Sequence, residues 1–438
     1  MQLLQVIGLF AGIAILIIGA YRGVGALPIT VLAGFVVVIT NGMPIWESFS
    51  GDYMDGYISF LKSYFPIFAS SALYSKLMEE SGSAVAVGYK LIDWFGKNQV
   101  MLVCFVATCL LTYGGISLFV AIFAMAPIMI LLFKEADLPK RLTMAPFIAG
   151  SCTLTCTALP GTPSITNVIP ANYFGTGLTA APVLSIISSA MLFGFCFAYM
   201  KWEEHRCRVR GEHFSFGPGD DPAKYNVDRS ELPPAWKAFC PLLSLILIII
   251  IGGRFVSDSN MLVVVAMLIA SVMVLVFNWG RLGNKKVIIN NGLAGAITAI
   301  AGPCAVVAFG TLVKATPAFQ TILTWLLGLE MNPYLTGILS VSVISGVTGS
   351  SSGGMTITLD SVGPYLMASG CNLSILHRLM SLAAGTLDSL PHASGYFLMF
   401  GHMGLTHKDS YKYAGITSVV IPIIVLLILT PIIILLGL

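Results

Sequence analysis

Inside a long apolar run, residues 374–404, stands Asp388-Ser389-Leu390-Pro391-His392-Ala393-Ser394-Gly395. A carboxylate and an imidazole four residues apart could share a helix face and exchange a proton, if Pro391 leaves the turn between them helical. Proline removes a backbone donor and glycine weakens a helix. Broken helix at membrane depth survives only where protein or a water-filled cavity satisfies the freed groups. Asp388 and His392 are therefore candidates for proton coupling, and Ser394 for ligand contact. Asp360, His377, Arg378 and His402 lie toward segment ends, where placement at the membrane interface is expected.

Three further interruptions share this chemistry. Leu159-Pro160-Gly161-Thr162-Pro163-Ser164-Ile165-Thr166-Asn167 stops another apolar run and offers the polar groups of Thr162, Ser164 and Asn167. Gly114, Gly115 and Ser117 interrupt residues 100–133, and Gly349-Ser350-Ser351-Ser352-Gly353-Gly354 interrupts residues 333–367. Helix N-termini at such breaks present free N–H groups and partial positive charge to an anion. Glycines let backbone approach a ligand closely. Gly114, Gly115, Ser117, Thr162, Ser164, Asn167, Ser351, Ser352, Gly353 and Ser394 are thus the expected contacts of one substrate. These four stretches contain no arginine, which favours a small monoanionic carboxylate over a phosphate.

Gly349–Gly353 also fits G-x-S-x-G, and Asp388 and His392 follow in the order of a serine hydrolase triad. That motif has meaning on a strand-to-helix elbow, and no alternating strand precedes it here. Cys152 and Cys156 fall four apart without a third ligand nearby, and read as small buried residues rather than a metal site. No ATP-binding loop pattern occurs, so no cofactor is expected beyond a coupling ion. That ion is the proton, with sodium as the alternative, since unwound carbonyls and hydroxyls also suit sodium.

The elements that must position these residues are membrane helices. Of 438 residues, 56% are hydrophobic and 10% charged, against about 25% charged in soluble domains. Spans are expected at residues 3–20, 24–40, 57–77, 142–174 and 181–200, then at 238–251, 261–279, 287–313, 374–404 and 411–436. Residues 100–133 and 333–367 are too long for one ordinary span and fit re-entrant hairpins with tips at Gly114-Gly115 and Gly353-Gly354. Short pieces at 83–95 and 318–329 are expected not to cross.

Three landmarks recur at nearly one offset: Pro66 and Pro303, the two glycine pairs, and Pro160 and Pro391 lie 237, 239 and 231 residues apart. The expectation is an all-α polytopic membrane protein of two inverted repeats. Residues 1–200 form the first (hairpin 100–133, broken helix 142–174). The polar segment 201–237 is a linker, and residues 238–438 form the second (hairpin 333–367, broken helix 374–404). With that linker in the cytoplasm, 19 of the 23 Lys and Arg residues fall inside. All six tryptophans lie near segment ends, as an aromatic belt requires. Gly8/Gly12 and Gly19/Gly23 are helix-packing pairs expected to act within the chain. A net charge of +3 scattered over loops gives no nucleic-acid footprint.

The run Lys76-Leu77-Met78-Glu79-Glu80-Ser81-Gly82-Ser83-Ala84 resembles the gluconate:proton symporter (gluconate permease, GntP) family. So do Thr112-Tyr113-Gly114-Gly115, Leu159-Pro160-Gly161-Thr162-Pro163, Asn167, Tyr173-Phe174-Gly175-Thr176 and Thr179-Ala180-Ala181-Pro182. The resemblance covers nearly the whole chain. It implies a bacterial inner-membrane carrier of the ion transporter superfamily, with a scaffold part, a moving part, elevator-type motion and a homodimer. The second break departs from the sugar-acid pattern, Ser-His-x-Asn-Asp. With Ser352-Gly353-Gly354-Met355, the run Leu387–His392 resembles members for short hydroxy acids such as 3-hydroxybutyrate. The expected function is proton-coupled import of a small organic carboxylate. A passive facilitator and the intramembrane hydrolase are the readings of other classes.

Overall fold

The computed structural model describes residues 2–437 apart from 218–219, 253–254, 257 and 329–330. Part of the expected linker, residues 218–219, and the last residue of the expected short piece, 329, lie outside the described residues. No strand occurs among the described residues. In a bilayer each backbone amide must be satisfied within its own segment, so even β-branched runs fold as helix. Six helical stretches among the described residues are long and apolar enough to cross a membrane. The protein is a polytopic membrane protein. All six tryptophans are more than half exposed.

α1 (Gln2–Tyr21) packs along α2 (Ala26–Asn41) through the small residues singled out above. A Cβ on Gly8 would lie 1.9 Å from Thr40 Oγ1, and one on Gly19 would lie 2.5 Å from Ile29. A short helix, α3 (Ile45–Ser48), and a π-turn lead into α4 (Met54–Glu80), which contains Pro66. α5 (Ser83–Phe95) is the expected short piece, and the chain bends by 101° before α6 (Val100–Tyr113). α6 and α7 (Leu118–Glu135) form the first hairpin, which turns at Gly115 with φ 97°. Its two ends are tied by Lys97 Nζ and Glu135 Oε2 at 3.0 Å.

α8 (Met144–Ile148) continues as a π-helix, Ala149–Ala158, and the helix then breaks. Apart from Leu154 the residues of the wide segment are small or hydroxylated, and Gly150 lets it touch the carbonyl of Phe105, where a Cβ would stand 2.8 Å away. α9 (Ile165–Phe174) completes the broken helix. α10 (Pro182–Val209) runs well past residue 200, because its last turns are held by Glu203 and Glu204 ion pairs rather than ending at the first polar residue.

The second half follows the same order. α11 (Ala235–Gly252) and α12 (Ser259–Phe277) pack together. α13 (Lys285–Lys314), with Pro303, packs along α4, where Gly56 lets the backbone of Ala308 approach. α14 (Pro317–Leu327) is short. α15 (Pro333–Thr348) and α16 (Ser351–Ala368) form the second hairpin. α17 (Leu373–Leu387) and α18 (Ser394–His402) form the second broken helix. α19 (His407–Gly415), a π-turn and α20 (Ile421–Leu435) close the chain.

The second hairpin corrects one expectation. Its turn is at Gly349, φ 64°, and Ser350, not at Gly353-Gly354. Ser350 Oγ accepts the Gly353 N–H at 3.2 Å, so capping starts the helix at Ser351 and carries both glycines into its first turn. The two turn glycines, Gly115 and Gly349, are 234 residues apart, within the offset of the proline landmarks.

The central segment is packed rather than loose. Lys140 Nζ binds Asp220 Oδ1 at 2.7 Å, Arg141 pairs with Glu212, and Lys224 reaches Glu79 at 3.0 Å and Glu80 at 2.8 Å. Lys76, Lys134, Lys140, Arg141 and Lys412, expected on one side, all meet this segment or acidic residues beside it.

Candidate functional site

Each hairpin turn is seated against one helix break. At the first, Tyr113 Oη donates to the Pro160 carbonyl at 3.2 Å, and a Cβ on Gly115 would lie 3.6 Å from Pro163. At the second, His392 Nε2 donates to the Gly346 carbonyl at 2.9 Å, and Gly349 lies against the same ring. The Ser351 hydroxyl and amide face the Asp388 carboxylate, and Ser389 Oγ donates to Asp388 Oδ1 at 3.0 Å. Tyr411 Oη donates to the Ser389 carbonyl at 3.0 Å and closes the turn from α19.

The breaks are joined through the π-helical segment. The Cys156 carbonyl accepts from Ser164 Oγ at 2.6 Å and from Thr166 Oγ1 at 2.5 Å. Cys152 and Cys156 both stand beside Asp388. A π-turn leaves carbonyls free of the regular ladder, and here they hold the other side of the break. Ser381 Oγ on α17 donates to the Thr166 carbonyl at 3.0 Å, and Gly385 lies against Thr157. No cluster of three or more metal-ligating side chains occurs among the described residues.

The expected contacts differ in burial and in bonding. Gly114, Gly115, Ser164, Ser351, Ser352 and Ser394 are half-buried at turns or helix starts. Ser117 is there too, and its Oγ is buried without a partner. Thr162 is fully buried, its Oγ1 taking the Ser164 N–H at 3.3 Å. Gly353 lies inside the first turn of α16. Asn167 is fully buried and uses its whole amide: Nδ2 donates to the Thr162 and Leu178 carbonyls, each at 2.9 Å, while Oδ1 accepts from His377 Nε2 at 2.9 Å and Arg378 Nη2 at 3.1 Å.

Asp388 and His392 do not meet. Asp388 caps α17, and the chain turns at Ser389 before His392. His392 Nε2 faces a carbonyl and so carries the proton, which leaves Nδ1 as the basic nitrogen, buried without a partner. Ser351 faces Asp388 rather than His392, so the Ser–His contact of a hydrolase triad is not made.

His377 and Arg378 are not at an interface. Both are fully buried. His377 Nδ1 accepts from Thr176 Oγ1 at 2.7 Å. Arg378 also reaches the carbonyls of Thr157 at 3.3 Å and Leu178 at 3.4 Å, behind the first break. Position near the start of an apolar run suggested shallow placement, but residues 157–178 pack over the second turn of α17 and cover it. The signal in the sequence was an arginine inside that run with no acidic residue within a helical turn.

Comparison with known proteins gives a family and several relatives. The family described as GntP family permease matches residues 3–436. A Bacillus subtilis protein described as uncharacterized transporter YxjC is 28% identical over 449 residues, covering 93% of this chain and 94% of that one. An uncharacterized transporter of Haemophilus influenzae is 23% identical over 359 residues, covering 81% and 80%. Among solved structures, the YdaH transporter of Alcanivorax borkumensis is similar with a TM-score of 0.46 and 16% identity, over 90% of this chain and 89% of that one.

Proposed function

The chain belongs to the GntP family of permeases, and from that premise we propose that it is a secondary active symporter importing a small organic monoanion together with protons. The observation that carries this reading is the seating of each hairpin turn against a helix break, with α7, α9, α16 and α18 all beginning there. Four helix starts supply N–H groups suited to a carboxylate, and the hydroxyls of Ser117, Ser164, Ser351, Ser352 and Ser394 suit the substrate's own hydroxyls. Asp388 is the proton carrier, since it is the carboxylate at the second break. Gluconate-like sugar acids and short hydroxy acids such as 3-hydroxybutyrate are the substrate class.

The two halves are inverted repeats, the central segment faces the cytoplasm of a bacterial inner membrane, and two copies form a dimer. The ties at the open ends of the hairpins support inversion: Lys97–Glu135 lies beside the central segment, and the Asn372 N–H donates to Tyr334 Oη at 2.9 Å at the start of α17. α4 and α13 act as scaffold, and the hairpins and broken helices move against them in an elevator-type cycle.

The test is uptake of labelled gluconate and 3-hydroxybutyrate into proteoliposomes. Accumulation above equilibrium driven by an inward proton gradient is expected. Accumulation that follows a sodium gradient alone would replace the proton, and equilibration without accumulation would make the protein a facilitator.

A further inference from the structure

The fully buried ionised side chains among the described residues differ in one respect. Lys140 pairs with Asp220, Glu203 with Lys412 and Arg206, and Glu204 with Lys201 and Arg208. Arg378 has no carboxylate partner among the described residues. Its Nη groups are held by neutral oxygens of Thr157, Asn167 and Leu178, and its Nε is buried with no partner. A guanidinium stays charged in a protein, and a buried cation without a counter-ion is costly. Ten residues on, at the end of the same helix, Asp388 is a carboxylate that makes no ion pair among the described residues. α17 separates the two by ~15 Å, close enough for unscreened charges in a low-dielectric medium to act on each other.

The other groups around Asp388 do not balance it. Cys152 and Cys156 face it from the π-helical segment, Tyr411 from α19, Ser351 from α16 and Ser389 from its own turn. His392 turns to Gly346 instead. Against Arg378 stand Asn167 and the neighbouring His377, whose two ring nitrogens are both engaged in the pattern of a neutral ring.

We propose that Arg378 is the fixed positive charge of the transport site, balanced by ionised Asp388 when the site is empty and by the substrate's carboxylate when Asp388 is protonated. The inference rests on the symport reading above and adds its stoichiometry. Empty, the pair Arg378⁺ and Asp388⁻ is neutral. Loaded, Arg378⁺, one monoanion and Asp388 in its acid form are again neutral. One proton taken from solution by the Asp388 carboxylate therefore accompanies each monoanion. A dianion leaves the loaded site at minus one and is excluded. Both forms cross the membrane without moving net charge.

The test uses the purified full chain in liposomes, with labelled 3-hydroxybutyrate and gluconate and an internal pH dye. The expected ratio is one proton per anion, with uptake insensitive to a potassium–valinomycin potential. Malate, a dianion near neutral pH, should not enter. Asp388→Asn should lose net uptake and keep pH-independent exchange, because its loaded site is neutral and its empty site is not. Arg378→Gln should raise KM at least tenfold, and Arg378→Lys should recover much of it. Uptake that scales with membrane potential, or Arg378→Gln with wild-type KM and ratio, overturns the proposal.

A substrate-free measurement keeps the outcome separate from the symport reading. Arg378→Gln, Asp388→Asn and the double variant are compared by thermal unfolding at pH 8. Coupled charges make the double variant less destabilised than the two losses added together. Strict additivity overturns the charge pairing even if neither acid is transported, while failed uptake with coupling intact overturns only the substrate class.

Discussion

Asn167 uses all four of its amide hydrogen-bonding positions inside the protein, two to carbonyls around the first break and two to α17. Its role in the observed conformation is to hold the break against His377 and Arg378. Asn167→Ala leaves an already under-satisfied guanidinium and an imidazole short of an acceptor, and the buried Thr162 carbonyl short of a donor, while the Leu178 carbonyl keeps the Gly161 N–H and Arg378. Each unsatisfied buried group costs about 1–3 kcal/mol, more when charged. Asn167→Ala should therefore lower the unfolding temperature by many degrees. Ser352→Ala, at a half-buried hydroxyl whose one hydrogen-bond partner among the described residues is Ser350, should leave stability within about 0.5 kcal/mol. Thermal unfolding of both variants in detergent checks this; a fully stable Asn167→Ala would show that water or ligand, not Arg378, is the true partner. Residue types were legible in the sequence here, because hydroxyls and an amide between prolines announce a break. Partners were not, because the bonds from Asn167 to His377 and Arg378 span more than 200 residues, and no local pattern encodes them.

At the scale of elements, breaks and hairpins were readable because proline and glycine act locally. Leu159–Ser164 and Asp388–Ala393 fall where the prolines put them, and the two-armed shape of residues 100–135 follows from length. The second turn was misplaced because six small residues in a row, Gly349–Gly354, leave the choice to a cap, and the Ser350 hydroxyl takes the Gly353 amide. This makes adjacent glycines unequal. A Cβ on Gly354 would stand 2.5 Å from Ser345 Cα, inside the facing arm, where neither backbone can yield. A Cβ on Gly353 would meet the Ser350 side chain, Oγ at 3.3 Å and Cβ at 3.4 Å. Gly354→Ala should force α15 and α16 apart, at about 1–3 kcal/mol of overpacking, and displace Ser351 from Asp388. Gly353→Ala should be neutral or gain up to about 1 kcal/mol from helix propensity. Unfolding temperatures of the two variants, read beside each other, decide it; equal losses would return the turn to Gly353-Gly354.

Over the whole molecule, two anchors four residues apart tie the strap at residues 220–231 to the helices, and they differ in kind. One anchor is buried: Lys140 is 3% exposed, and burial draws its ammonium below the ordinary lysine range although Asp220 works against this. The other anchor, Lys224 with Glu79 and Glu80 of α4, is about a quarter exposed. Burial opposes the Lys224 charge, but Glu80 and Glu79 outweigh it and hold the ammonium above the ordinary range. A raised lysine contributes fully below its unfolded value and loses that contribution only as pH rises through the folded one, well above neutrality. Salt, not pH, is therefore the lever at this anchor. Polar composition in the sequence suggested a loose linker, since charge patterns there are blind to partners 80 to 145 residues away. Asp220→Asn leaves a buried cation unpaired and should cost about 3–5 kcal/mol, with little dependence on salt. Lys224→Met should cost about 1 kcal/mol or less, and that difference should vanish in molar salt. If hairpin one slides along α4 during transport, the strap must part at its weaker anchor. Lys224→Met should then speed exchange in liposomes while Asp220→Asn slows it through loss of fold. Equal, salt-independent effects of the two variants would mean that the strap moves as one body with both helices.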